Sequence, residues 1–334
     1  MIKTPKFWYS KKSSSVFLSK ILYPISVLWT LISKIKLLKA RQKKFKVPII
    51  CVGNINVGGS GKTPTVMALT QIFLEKGVNA HIVSKGYKGK KIGPRKVSQG
   101  DSAFEMGDEP ILLSNYTNVW VSKDRVKGIE AAINDGAELI LLDDGFQDFN
   151  FSKTFSIVTV DAEMGFGNRM ILPSGPLRED LTNGLKRADA LLIIGTNFSR
   201  QAFLANEKLP ENLNVFFGEI KEIQTGIDFK NNRFVAVAGI AHPEKFFNTL
   251  EKCGAEVIKK VPLPDHFNFS ITFIHRLKNM AKNANAQLIV TEKDAVRIPE
   301  TERINFISLP VRLQINNQES LIETIYSKLG QSFK

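Results

Sequence analysis

Apolar positions along this chain follow two rhythms, and each predicts its own kind of element. Between Leu18 and Ile35 the spacing is helical: Leu18, Ile21, Leu22, Ile25, Leu28, Trp29, Ile32 and Ile35 fall on one broad face, with Ser19, Lys20, Ser26, Thr30, Ser33 and Lys34 opposite. Pro24 interrupts this stretch and predicts a kink or a first turn. Short β-branched runs come next, KVPIICV at 46–52, then 81–84, ELILLDD at 138–144, 155–160 and 190–194. Each reads as a buried strand, and helical stretches such as TVMALTQIFLEK at 65–76 lie between them. That alternation predicts an α/β fold, a mostly parallel sheet flanked by helices. A second series opens at RFVAVAGI (233–240), continues through a helical stretch Pro243 to Cys253 and a strand QLIVT (287–291), and closes with a helix from Leu321 to Leu329. The pattern therefore divides the chain into an N-terminal segment (1–46), a core (47–224) and a smaller α/β lobe (225–334).

Charge changes the picture at one end only. The chain has 334 residues and a formal charge of +14, which suggests a nucleic-acid binder until its distribution is read. Residues 1–46 hold 12 Lys and Arg and no Asp or Glu, leaving 34 basic against 32 acidic residues elsewhere. Phosphate tracking needs basic residues spread over a folded face, so no nucleic-acid partner is expected. A basic amphipathic helix with an aromatic on its apolar side suits a membrane surface, where lysines meet anionic lipid headgroups. Its uncharged run, Ile21 to Ser33, is 13 residues, short of the ~20 that span a bilayer as a helix. A tilted span with snorkelling lysines and a helix laid on the protein's own core remain open readings, as does a signal peptide, though no small-x-small cleavage site is present. Two distant cysteines, Cys51 and Cys253, read as reduced core thiols, and four scattered histidines give no zinc pattern.

The candidate chemistry begins after the first strand. The turn Gly53-Asn54-Ile55-Asn56-Val57-Gly58-Gly59-Ser60-Gly61-Lys62-Thr63 leads directly into the helical stretch. Strand, glycine loop, Gly-Lys-Thr and helix is the order a P-loop requires, because unobstructed backbone N–H groups must wrap phosphates at a helix N-terminus. Lys62 is placed to reach the β and γ phosphates and Thr63 to hold Mg²⁺. Asn54 and Val57 to Pro64 (Gly58, Gly59, Ser60 and Gly61 among them) are the candidate nucleotide contacts. Asn56 stands where the strict motif has its first glycine. A second apolar run ends in Asp143 and Asp144, where a P-loop fold places its metal-organising carboxylate.

These motifs together resemble the tetraacyldisaccharide 4'-kinase family. The resemblance rests on GNINVGGSGKTP (53–64), SKGYKG (84–89), GDEPILL (107–113), DDGFQ (143–147), DAEMGFGNRMILPSGPLRE (161–179), AGIAHPEKFF (238–247), PDHFNFS (264–270) and TEKDAVRI (291–298), in order over nearly the whole chain. It implies ATP and Mg²⁺ as cofactors and transfer of the γ-phosphate to the 4'-hydroxyl of the lipid A disaccharide 1-phosphate. The implied setting is the cytoplasmic face of a Gram-negative inner membrane, with anionic lipids as partners; a monomer is expected. Matched position by position, it makes Asp108 the catalytic base beside Glu109 and pairs it with His266, although nothing in spacing shows that residues 108 and 266 meet. Asp143, Asp144 and Gln147 match a motif near metal and phosphates, and Arg125, Arg178 and Glu179 match further active-site positions, the glutamate as a Mg²⁺ ligand. Asp148 stands where the family commonly has histidine.

Two other readings share the P-loop. A kinase of a soluble small molecule fits if the N-terminal helix touches no lipid. A GTPase or metallochaperone would read guanine through an Asn/Thr-Lys-x-Asp tetrad, and Thr291-Glu292-Lys293-Asp294 has those letters in the wrong order.

Overall fold

A computed structural model describes residues 5–10, 13–223 and 226–330. The first eight strands are β1 (Ile49–Gly53), β2 (Ala80–Ser84), β3 (Arg95–Lys96), β4 (Val119–Val121), β5 (Leu139–Asp143), β6 (Phe155–Asp161), β7 (Ala190–Ile194) and β8 (Asn214–Glu222). The next four, β9 (Arg233–Ala238), β10 (Glu256–Pro262), β11 (Gln287–Thr291) and β12 (Phe306–Leu309), form a separate sheet in the order β10-β9-β11-β12, all parallel. The last strand, β13 (Val311–Ile315), returns to the first sheet, whose order among the described residues is β13-β8-β7-β6-β1-β5-β2-β4-β3. Its pairings are parallel except at the two edges, β13 with β8 and β3 with β4.

Before the small sheet the helices are α1 (Ser13–Lys39), α2 (Lys62–Glu75), α3 (Ala103–Met106), α4 (Asp108–Leu113), α5 (Arg125–Asn134), α6 (Leu181–Arg187) and α7 (Asn197–Asn206). Those that follow are α8 (Pro243–Lys252), α9 (Ile271–Asn283), α10 (Glu292–Ala295), α11 (Glu300–Arg303) and α12 (Gln318–Leu329). The period-two alternation of a strand explains how one run serves two cores. Ile50 and Val52 of β1 join the core under α2 and α12, which contribute Val66, Leu69, Phe73, Leu321 and Ile325. Ile49 and Cys51 join the opposite core, with Ile129 of α5, Leu185 of α6 and Phe203 of α7. Cys51 is fully buried, whereas Cys253 is only half-buried, so the second thiol is not the core residue expected of it.

The small sheet repeats the scheme with α8 on one face and α9 on the other. Its C-terminal limit differs from the one read off the pattern. Residues 311–329 belong with the large sheet, because β13 pairs with β8 and α12 buries Leu321, Ile322 and Ile325 in the large core. The closing helix was legible as a helix, but which apolar face receives it is decided by a pairing across about ninety residues of sequence.

The helix α1 continues past Pro24, which is therefore not in its first turn, and is longer than the uncharged run suggested. Val16–Lys39 is long and apolar enough, by length and composition, to cross a membrane, with a mean hydropathy of 1.6 over its 18-residue window. Its polar stripe is the side turned to the protein. Ser19 and Ser26 are each 3% exposed. The Ser26 hydroxyl lies 2.8 Å from the Ile171 carbonyl and 2.7 Å from the Ser174 hydroxyl, and Asn168 donates to Ser19 Oγ at 3.0 Å. Phe17, Ile21, Ile25, Leu28 and Leu38 are exposed. A helix laid on the core by its apolar face is thereby ruled out: the apolar face is outside.

Candidate active site

The P-loop leaves β1 at the middle of the large sheet, between β5 and β6, where the strand order reverses direction and a crevice opens at the carboxyl ends. Gly61 caps α2 with φ +83°, and a Cβ there would lie 2.4 Å from Ile194 Cδ1, so only glycine fits. No side chain caps α2, which leaves the first-turn N–H groups of Lys62 and Thr63 open to an anion. Pro64 follows where a missing N–H costs nothing. Ser60 turns its hydroxyl to Thr159 at 2.9 Å, so the loop offers a phosphate its backbone here. Asn56 fits for a reason the motif does not contain: it bridges to Leu177 and donates to the Gly165 carbonyl at 2.6 Å, while Val57 N–H donates to the Pro176 carbonyl at 2.8 Å. The loop is thus pinned by the 161–179 segment instead of by a first glycine.

Lys62 Nζ lies 3.9 Å from Asp144 Oδ2. Burial lowers the Lys62 ammonium's pKa, against the pull of Asp144. Asp144 has φ +55° and receives the Arg178 fork at 2.7 and 3.1 Å. Burial would raise it, but Lys62 and Arg178 outweigh burial and bring it to about 2. Asp143 next to it goes the other way, raised to about 7 by burial and by the Glu109 and Asp144 charges. One of its oxygens, Oδ1, is buried without a protein partner. Arg125, 4% exposed, donates to the Asp143 and Asp144 carbonyls and to Asp148 Oδ2 at 3.3 Å. Asp148 is therefore an anionic anchor for that arginine, a part no neutral histidine could play. Gln147 donates to the Asn54 carbonyl at 2.8 Å and to Glu179 at 2.9 Å. Arg187 donates to both Glu179 oxygens, which braces this carboxylate beside Gln147.

The expectation that residues 108 and 266 meet is realised: His266 Nδ1 lies 2.7 Å from Asp108 Oδ2. Asp108 opens α4 on the large body, whereas His266, at φ +60°, sits on the loop after β10. Arg297 also donates to Asp108 Oδ2, through Nε at 2.8 Å and through Nη2, and Lys293 reaches Glu109 at 2.6 Å. Burial opposes ionisation of Asp108, but His266, Lys293 and Arg297 hold it well below the usual carboxylate range. Glu109 is raised by burial and by the Asp108 charge. Ligand atoms of Asp108, Glu109 and His266 come within 4.8 Å of one another, yet the two cations already seated there disfavour a third. A cleft of about 2820 Å³ joins the sites: Lys62, Thr63, Asp143, Asp144, Glu109 and His266 all line it, and Asp108 stands behind the imidazole.

Sequence reasoning missed Lys293, Asp294 and Arg297. Lys293 and Arg297 are four apart, one helical turn, and so share a side, a signal available in TEKDAVRI. Asp294 is fully buried against the Gly239 N–H at 3.0 and 3.1 Å, which removes it from any guanine-reading tetrad.

The family model described as tetraacyldisaccharide-1-P 4'-kinase matches residues 18–330. A tetraacyldisaccharide 4'-kinase of Dinoroseobacter shibae is 42% identical over 326 residues, 96% of each chain. One from a Jannaschia species is 40% identical over 331 residues, 99% of this chain and all of that one. A crystal structure of the "apo" form of LpxK from Aquifex aeolicus, in complex with ATP, superposes with a TM-score of 0.74 at 28% identity, covering 93% of this chain and 99% of that one.

Proposed function

We infer that this chain, which belongs to the tetraacyldisaccharide-1-P 4'-kinase family, transfers the γ-phosphate of ATP to the 4'-hydroxyl of tetraacyldisaccharide 1-phosphate, a step in building lipid A. The observation that carries the chemistry is the Asp108–His266 contact of 2.7 Å on the wall of the cleft that the P-loop floors. Phosphoryl transfer asks a protein for positioning and for cations around the phosphates. Backbone N–H groups from Gly58 to Thr63 would hold the β and γ phosphates, with Lys62 over them. Arg178, fixed on Asp144, lies beside that lysine.

A Mg²⁺ ion fits the residues present: the unpartnered Asp143 Oδ1 and the Thr63 hydroxyl would hold it, with Asp144 behind. When bound, it would supply positive charge for the phosphate oxygens and would offset the burial and neighbouring charges that raise Asp143. The acceptor hydroxyl gives up a proton as its oxygen attacks the γ-phosphorus, whose bond to the bridging oxygen breaks so that ADP leaves with the electron pair. Asp108 Oδ2 already accepts from His266 and from Arg297 and lies behind the ring, so the atom that takes the proton is His266 Nε2, 3.5 Å from Asp265 Oδ2, while Nδ1–H stays on Asp108. That moves the base from the carboxylate, where the sequence put it, to its partner.

Outward apolar side chains on α1 support docking to the bilayer that holds the acyl chains, with anionic headgroups meeting the basic flanks. Trp29 Nε1 donates to the Arg178 carbonyl at 3.3 Å, which ties the lipid-facing helix to the phosphate-binding arginine's backbone. The test is transfer of ³²P from [γ-³²P]ATP to tetraacyldisaccharide 1-phosphate in detergent with Mg²⁺. We expect a labelled lipid from the wild type and a fall of ~10²–10⁴-fold in kcat for His266→Gln. Intact ATP-binding protein that labels no lipid would move a soluble acceptor to the front.

A further inference from the structure

The cleft contains an assembly that no role above absorbs. Gly239, just past β9, donates its N–H to both Asp294 oxygens at 3.0 and 3.1 Å. Its carbonyl accepts from Arg297 Nη1 at 2.8 Å and from the His266 backbone N–H at 3.1 Å. Asp294 is fixed in turn by the Thr291 hydroxyl at 2.7 Å and accepts from Arg297 Nη1 at 2.8 Å. A Cβ at residue 239 would lie 2.8 Å from Asp294 Oδ1 and 3.2 Å from the Pro264 carbonyl, so the crossing point must be glycine. One peptide unit thus sets both the guanidinium that grips Asp108 and the backbone of His266.

We propose that Arg297, held by Asp294 and Gly239, is the positioning residue that presents the Asp108–His266 pair to the acceptor hydroxyl, and that the pair is complete only while the two sheets' loops are docked. The proposal rests on that pair being the proton acceptor. His266, Gly239, Asp294 and Arg297 all come from the small sheet's edge, and Asp108 is the member supplied by the large body. Without the fork, His266 would remain but its carboxylate would be free to turn. The groups facing Asp108 are His266, Lys293 and Arg297 as cations or donors, with Glu109 and Asp265 as anions beside Lys293.

A residue that merely neutralises a buried charge would be replaceable by lysine, whereas a fork that sets an angle would not. Steady-state kinetics of R297K, R297M and D294N across pH separate the two, with ATP binding and thermal unfolding as folding checks. We expect R297M to lower kcat by ~10²-fold with the KM for ATP within about two-fold, and R297K to recover only part of the loss. The acid limb of kcat should move to higher pH in R297M, because the Asp108–His266 pair loses a positive charge that opposes its protonation, and stay put in R297K. In a D108N background R297M should cost less than about a further two-fold. Full recovery by R297K, an unmoved acid limb, or losses that multiply in D108N would overturn the proposal. D294N, which loosens Gly239 and Arg297 together, decides the matter if R297M does not fold. An inactive D108N with multiplying losses sinks this proposal alone, while a D108N as active as wild type sinks the proton-acceptor reading with it.

Discussion

The cleft and α1 arrange charged and apolar side chains in opposite ways. In the cleft, charged side chains are buried and paired, Asp108 with Arg297 and His266, Asp144 with Arg178 and Lys62. On α1 apolar side chains are exposed, and the only residues of that helix buried among those described are two serines. Each arrangement inverts what a soluble protein does with that class of residue. Together they teach that charge is gathered inside the cleft while apolar surface is left outside along one helix.

The comparison breaks most sharply at Lys62. Lys62→Ala should lower kcat by ~10³-fold or more while leaving association with anionic vesicles unchanged in a flotation assay. The converse variant, Phe17, Ile21 and Leu28 all to Ser, should lower vesicle affinity by ~10²-fold or more at roughly 1.5 kcal/mol for each side chain no longer buried in lipid. Its kcat in detergent micelles should stay within about two-fold. If both variants lost the same function, cleft and helix would not be separable surfaces.

The seam between them is testable at Ser26. Ser26→Ala leaves the Ser174 N–H without its 3.2 Å acceptor and takes one of two donors from the Ile171 carbonyl, which keeps the Gly175 N–H, at a cost of about 1–3 kcal/mol seen as a lower Tm. The smallest effect concerns acid. Asp108 has a folded pKa below its unfolded value, so its contribution is complete above about pH 4 and is lost as pH falls through the native value. Asp108→Asn should therefore flatten the acid side of a stability-versus-pH curve; an unchanged slope would show that the pairing stores no stability.

Most of the sheet was legible because a strand buried on both faces must be apolar throughout, as IICVG, LILLD and ALLII are. The P-loop was legible because phosphate wrapping demands glycine at fixed places. What stayed hidden depends on which surfaces face each other. Ser19 and Ser26 could be placed on a stripe, but the stripe's partner, the 168–174 segment, lies about 150 residues away. Arg297's grip on Asp108 crosses 189 residues and leaves no periodic trace. Glu179 could be placed near the site, but its ion pair with Arg187, eight residues on, has no signal in the pattern.

The strand β13 and the helix α12 carry a consequence for the order in which the chain is made. When a ribosome has finished residue 310, the whole small sheet has been synthesised, while the large sheet still lacks its antiparallel edge and the helix that brings Leu321, Ile322 and Ile325 to its core. The small sheet is thus an insertion in the sequence of the large one, between β8 and β13. The core beneath the P-loop helix therefore depends on residues that follow the small sheet in the chain.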